Sequence, residues 1–192
     1  LVEKALSNNS QRATSSIPFN WSGNAYYNGK VGNLGIDLNV DFLTRKNTDR
    51  TSIKDVTDGV TSNLSSVNPG SSHMIATKLV LSYPIWKGML SFGSENSFVT
   101  RNSSYHIDGV NIPSTKSEVQ ENNIAFFAEY GMMLPQIGSL SAGLRYEHVG
   151  FDYTDLIDDK GSMSRHTDDF FPTFSCAHRS GTVQASLNYS IT

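Results

Sequence analysis

The chain has 192 residues, 38% of them hydrophobic, and a formal net charge of -3. That length holds one domain with a sizeable core, and the acidic balance excludes nucleic acid as the main partner. A single cysteine, Cys176, excludes an intrachain disulfide and a zinc site built on several thiolates.

Nothing in the sequence reads as a secretory signal, and no run of about 18 apolar residues offers a membrane-spanning helix. Barrel strands alternate apolar and polar residues, so a β-barrel crosses a membrane without such a run. The chain opens on Leu1 rather than Met, which reads as a processed or trimmed start.

Residues 1–18 are polar and read as a loosely held lead-in. A first strand follows, with Phe19, Trp21, Gly23, Ala25 and Tyr27 alternating against Asn20, Ser22, Asn24 and Tyr26. Asn28-Gly29 reads as its turn. The second strand has the cleanest period of two, with Leu34, Ile36, Leu38, Val40 and Phe42 opposite Gly35, Asp37, Asn39 and Asp41. Thr44 to Ser72 is rich in Thr, Ser, Asn and Asp and reads as a long loop.

The third strand, from about His73 to Tyr83, sets Ile75, Thr77, Leu79, Leu81 and Tyr83 against Ala76, Lys78 and Ser82. Pro84 to Gly88 turns the chain into a fourth strand, about Met89 to Arg101, and a second loop covers 102–121. Strands five and six flank Pro135 to Gly138. Ile124, Phe126, Ala128 and Tyr130 share one face of this hairpin with Leu140, Ala142, Leu144, Tyr146 and His148. Glu129, Arg145 and Glu147 take the other. A third, acidic loop spans 154–169. Strand seven carries Phe174 and Cys176, His178 to Gly181 turns, and strand eight sets Val183, Ala185, Leu187, Tyr189 and Ile191 against Gln184, Ser186, Asn188 and Ser190.

The fold class expected is all-β: an antiparallel meander of about eight strands, part of a transmembrane β-barrel or a small one in itself. The barrel segment is 19–192, with long loops at 44–72, 102–121 and 154–169. Connections that alternate short and long are the pattern of barrels with short periplasmic turns and longer outer loops. Aromatic residues near strand ends fit two interfacial belts, Trp21, Phe98, Tyr153 and Phe171 at one and Tyr27, Tyr83, Trp86 and Tyr130 at the other.

Four segments carry a resemblance: Gly23–Phe42, Leu81–Glu95, Leu140–Tyr153 with its GLRYE, and Ser164–Ser175 with a D-x-FP strand start. Together they resemble the outer-membrane β-barrels of TonB-dependent receptor-like proteins of Gram-negative bacteria. The resemblance implies a barrel of about 22 strands around an N-terminal plug, coupled to TonB and importing a scarce solute. This chain has room for neither plug nor full barrel. With its first connection short, both ends fall outside, so it reads as a slice of a larger barrel. The implied partners are outer-membrane lipid, the plug and TonB system of a full-length parent, and a second copy through unpaired strand edges. The location implied is the outer membrane.

The candidate site is a polar, lumen-facing wall of Asp37, Asp41, Lys78, Glu129, Arg145 and Glu147, with Glu95 beside them. Two blander sets of residues stand next to it. Asp152, Asp155, Asp158 and Asp159 could offer oxygens to Ca²⁺, but the spacing lacks a dedicated calcium loop and reads as a solvated outer loop. His148 could serve a hydroxyl such as Ser141, yet no G-x-S-x-G or H-E-x-x-H stands in the chain. No catalytic set, metal or cofactor is therefore expected. Two other readings stay open: a self-contained eight-stranded outer-membrane barrel with a structural or adhesive role, and a soluble lipocalin-like ligand-binding barrel.

Overall fold

A period of two leaves every second side chain on the same face, and extended backbone needs a neighbouring strand for its N–H and C=O groups. The computed structural model, which describes residues 7–57, 60–108, 113–135, 138–180 and 183–191, meets both demands with one sheet. Its strands are β1 (Ser7–Val31), β2 (Leu34–Thr57), β3 (Val60–Ile85), β4 (Gly88–Asp108), β5 (Thr115–Leu134), β6 (Gly138–Asp155), β7 (Met163–Ser180) and β8 (Val183–Ser190). They lie in the order β1-β2-β3-β4-β5-β6-β7-β8, all antiparallel, with β1 and β8 at the two edges. A 3-10 turn, Asp159–Gly161, lies between β6 and β7.

Four expectations are corrected. The stretch 44–72 is not a loop, because β2 and β3 stay paired from Thr44↔His73 out to Thr57↔Val60. Likewise 102–121 is mostly ladder, with Asn102 opposite Glu118 and Tyr105 opposite Thr115, and within 154–169 the residues Met163 to Asp169 are strand, paired with Tyr153 to Glu147. The lead-in is strand from Ser7 onward, paired with the outer half of β2. A ribbon standing in water needs no oily face. Its hydrogen bonds are satisfied by the ladder alone, and β-branched Thr favours extension.

The first turn also moves. Asn28 and Gly29 are in the strand, opposite Asp37 and Ile36, and the chain reverses at Gly32-Asn33. Gly32 has φ +61°, which a glycine adopts without a Cβ penalty. Gly29 serves packing instead: a Cβ there would lie 2.5 Å from the Tyr27 hydroxyl, so the tyrosine ring uses the space. At the last hairpin His178 is still paired, with Ala185, while Gly181 lies outside the described residues.

Trp86 and Lys87 close the β3–β4 hairpin. Trp86 has φ +51° and is 95% exposed, so no packing inside the chain offsets its left-handed backbone. Trp86→Asn is expected to stabilise the detergent-solubilised protein by about 1 kcal/mol, the usual cost of a left-handed non-glycine residue. Thermal unfolding in micelles tests this, and an unchanged or lower midpoint contradicts it.

The hairpin ends are staggered. The β1–β2 end meets β3 at Gly35↔Ser82, three residues short of Ile85, where β3 ends. The β3–β4 end meets β5 at Gly88↔Met132, two residues short of Leu134, where β5 ends. Each hairpin thus runs further than the one before, by about one residue per strand. Such a cumulative shift is the shear that tilted strands need to wrap around an axis.

Candidate functional site: a polar wall opposite an apolar girdle

The ladder assigns every residue to a face, because paired residues share one. One face carries Leu34, Ile36, Leu38, Val40 and Phe42 from β2, Leu79 and Leu81 from β3, and Phe92 from β4. It continues with Phe126 and Ala128 from β5, Leu144 and Tyr146 from β6, and Phe170 and Phe174 from β7. These side chains are not shut inside a core. Phe126, Leu144 and Phe170 are exposed, as are Tyr27 and Trp21. The outer margin of this apolar band steps down across the sheet from Trp21 and Phe42 through Phe98 to Tyr146 and Phe170, following the same stagger as the turns. Trp21 stacks edge-on against Phe42 at 4.4 Å, and Tyr146 packs on Phe170 at 5.1 Å. Tyr153 and Phe171 were expected in this belt. They pair with Met163 and Arg145 and so occupy the other face, since each sits one residue out of phase with the apolar set.

That other face holds all six candidate residues, Asp37, Asp41, Lys78, Glu129, Arg145 and Glu147, together with Glu95. They fall into two groups. On β1–β2, the Asp37 carboxylate accepts from Tyr26 Oη at 3.2 Å and Asn28 Nδ2 at 3.0 Å. Asp41 accepts from Asn24 at 2.6 Å and Asn39 at 2.8 Å. On β3–β6, Glu95 bridges two cations: one oxygen meets Lys78 Nζ, and the other accepts from Arg145 Nη1 at 2.7 Å. Arg145 Nε donates to Glu147 in turn. The small Ala125 stands between Glu95 and Glu147 in the ladder and is fully buried, leaving Arg145 room to reach across a strand. Glu129, beside Gly143, belongs to neither group. A shallow concavity joins the groups, with Asn39, Asp41, Lys78, Glu95, Asn123 and Arg145 along it.

A hydrogen-bonded set that the sequence reading missed lies on the apolar face, just past the Tyr146–Phe170 margin. Asp168 accepts from Tyr146 Oη at 2.6 Å and pairs with His148 Nδ1 at 2.8 Å. The His148 ring stacks on His166 at 5.9 Å, and Ser164 bonds both Asp152 and His166. The clue was available: β6 and β7 both switch from aromatic to His and Asp on the same alternate positions. His148 does not meet Ser141, because the two are on opposite faces, and Ser141 bonds Ser175 at 2.8 Å.

The acidic loop spends its carboxylates on backbone. Asp155 Oδ1 accepts from the N–H of Ile157 at 2.9 Å and of Asp158 at 3.1 Å, and Asp158 accepts from Lys160 N–H. Asp152 turns to Ser164. Among the described residues no group of three or more metal-ligating side chains converges.

The two N–H donors hold the Asp155 carboxyl below its ordinary value of 3.8. A lowered folded value means the loop gains order from Asp155 above that ordinary value and loses it as pH falls through the lowered one. An NMR titration of the Asp155 carboxyl is expected to give a midpoint below 3.8. A midpoint at or above it overturns the cap.

Residues 8–191 match the model of the outer membrane protein beta-barrel family. The chain belongs to that family. It is an outer-membrane protein, and the soluble lipocalin-like reading is set aside. No curated protein matches it. In an outer-membrane barrel the apolar side of each strand meets acyl chains and the alternate side meets the interior. The exposed apolar girdle is what such a barrel presents to lipid. The ribbons reaching past the girdle toward Thr57 and Val60 mark the outer side, since barrel loops are longer there.

Proposed function

We propose that this chain forms part of the wall of a TonB-dependent receptor, enclosing a plug and passing a scarce solute that does not diffuse through porins. The carrying observation is the wetness of the polar face. Arg145 and Glu95 remain about a third exposed, at 29% and 32%. Among the described residues Ala125 is the only buried hydrophobic one. An eight-stranded barrel closed on itself is filled by packed side chains, so a solvated wall favours a wider lumen. The unpaired edges, β1 and β8, favour it too, because they leave room for further strands. The resemblance to TonB-dependent receptors in Gly23–Phe42 and Leu140–Tyr153 supports the mode of energy coupling. Plug and TonB contact would come from the full-length parent.

Uptake into cells carrying the parent gene tests this, with a panel of labelled ferric chelates and oligosaccharides as probes. Uptake of at least one probe should require both the gene and functional TonB. Uptake indifferent to TonB, or no gene-dependent uptake of any probe, rejects the reading.

The regular stagger is equally compatible with a second reading, a self-contained eight-stranded barrel, because the shear that closes a sheet accumulates strand by strand at any barrel size. A monomer in detergent with engineered disulfides linking β1 to β8 would favour it. Otherwise the two edges recruit one another between copies, and larger species appear in light scattering.

A further inference from the structure

We infer that the outward side of β2–β5, directly above the apolar girdle, is a docking site for the phosphate-bearing headgroup of an outer-leaflet lipid. The argument follows one face upward. The girdle ends on these strands at Phe42, Ile75 and Phe98, which are neighbours in the ladder. The next row outward is Thr44, His73 and Thr100, with Thr44 Oγ1 and His73 Nδ1 3.1 Å apart. Above it the same face opens into a recess lined by Lys46, Thr48, Ser71, Asn102, Ser104 and Lys116. Apolar, then hydroxyl and imidazole, then ammonium is the order of a lipid read from acyl chain to headgroup.

The recess is built to accept anions. Its two lysines are exposed and form no ion pair among the described residues, so their charge is free for a ligand. Their companions are hydroxyls and an amide, all able to donate to phosphate oxygens. Glu118 stands opposite Asn102 on the same face; it accepts from Gln120 Nε2 at 2.6 Å but keeps its negative charge, which the two lysines outnumber. The space has a local cause. Pro69 offers no N–H, and the β3–β4 ladder skips from Val67↔His106 to Gly70↔Ser103. The recess sits beside that gap. A basic pocket at headgroup depth selects anionic lipid over zwitterionic lipid.

Binding of lipid A to the detergent-solubilised chain, followed by native mass spectrometry, is the test. Phosphorylated lipid A should bind, and the same lipid stripped of its phosphates should bind far more weakly. The double variant Lys46→Gln/Lys116→Gln should weaken binding roughly thirtyfold, about fivefold per charge. Lys87→Gln, in the turn at the opposite membrane face, should bind as the parent does. Inorganic phosphate at millimolar concentration should not displace the lipid, which separates a headgroup site from a site for the free ion. Heat-modifiability on gels confirms that each variant folds. Equal binding by the double variant, equal binding of the dephosphorylated lipid, or displacement by free phosphate overturns the assignment.

Discussion

Ala128→Arg is expected to block or severely weaken insertion into lipid vesicles, while Glu129→Arg, one residue along the same strand, inserts nearly as the parent chain does. Ala128 lies opposite Phe92 and Leu144, near the middle of the girdle on β5. An arginine facing acyl chains at the midplane of a barrel costs about 2–4 kcal/mol. That is a large share of the stability of any small domain. Glu129 points to the wet face opposite Ser91 and Gly143, where a guanidinium stays hydrated. Folding yield into vesicles, read on gels by heat-modifiability, gives the comparison. If the two variants insert equally well, or if Glu129→Arg is the worse, the face assignment is reversed and the pore wall goes with it.

The second large effect concerns Arg145. Among the described residues it is the only group that links Glu95 on β4 to Glu147 on β6, spanning β5. Arg145→Met keeps an unbranched apolar stem of similar bulk near the backbone and removes both charge-assisted bonds. The β3–β6 group then holds two carboxylates, Glu95 and Glu147, with Lys78 alone to offset them. A hydrogen bond to a charged group contributes about 1.5–3 kcal/mol. With Arg145 29% and Glu147 24% exposed, solvent screening brings the expected loss to the lower end, about 2 kcal/mol for the variant. A double-mutant cycle of Arg145→Met with Glu95→Gln should return a coupling of at least about 0.5 kcal/mol in denaturant unfolding from lipid. Additive losses would mean that the bridge contributes packing only. In pores wide enough to conduct, the variant should also shift ion preference toward cations, since a fixed positive charge has left the wall.

Much of this architecture is written in simple alternation. Leu34 to Phe42 and Leu140 to His148 could only form strands with one oily side, and the ladder keeps both sets in register with oily neighbours. The six wall residues fall on one face for the same reason: once the period of two is seen, parity sorts Asp37, Asp41 and Arg145 from Leu38 and Leu144. Parity also had the information to put Tyr153 and Phe171 on the wet side, where proximity to a loop suggested otherwise.

Polarity was a poor guide beyond the membrane. The stretch 44–72 has no buried side, so composition alone reads it as loop, although Asp58-Gly59, outside the described residues, is the kind of dipeptide that reverses hairpins. Asn28-Gly29 carried the same signal and does not turn: the ladder runs on through it to Val31↔Leu34, and Gly32 takes the positive φ of the reversal.

The sequence by itself determined the all-β class, the two faces of each strand and the charge that one face carries, since these depend only on neighbours along the chain. Tertiary pairing decided the rest. Which strand lies beside which, and with what shift, brought Glu95 and Arg145 together from 50 positions apart. It also stacked His148 on His166 and opened the lysine-lined recess beside Pro69. Such meetings depend on register between strands, and register is set by the whole sheet rather than by any single segment.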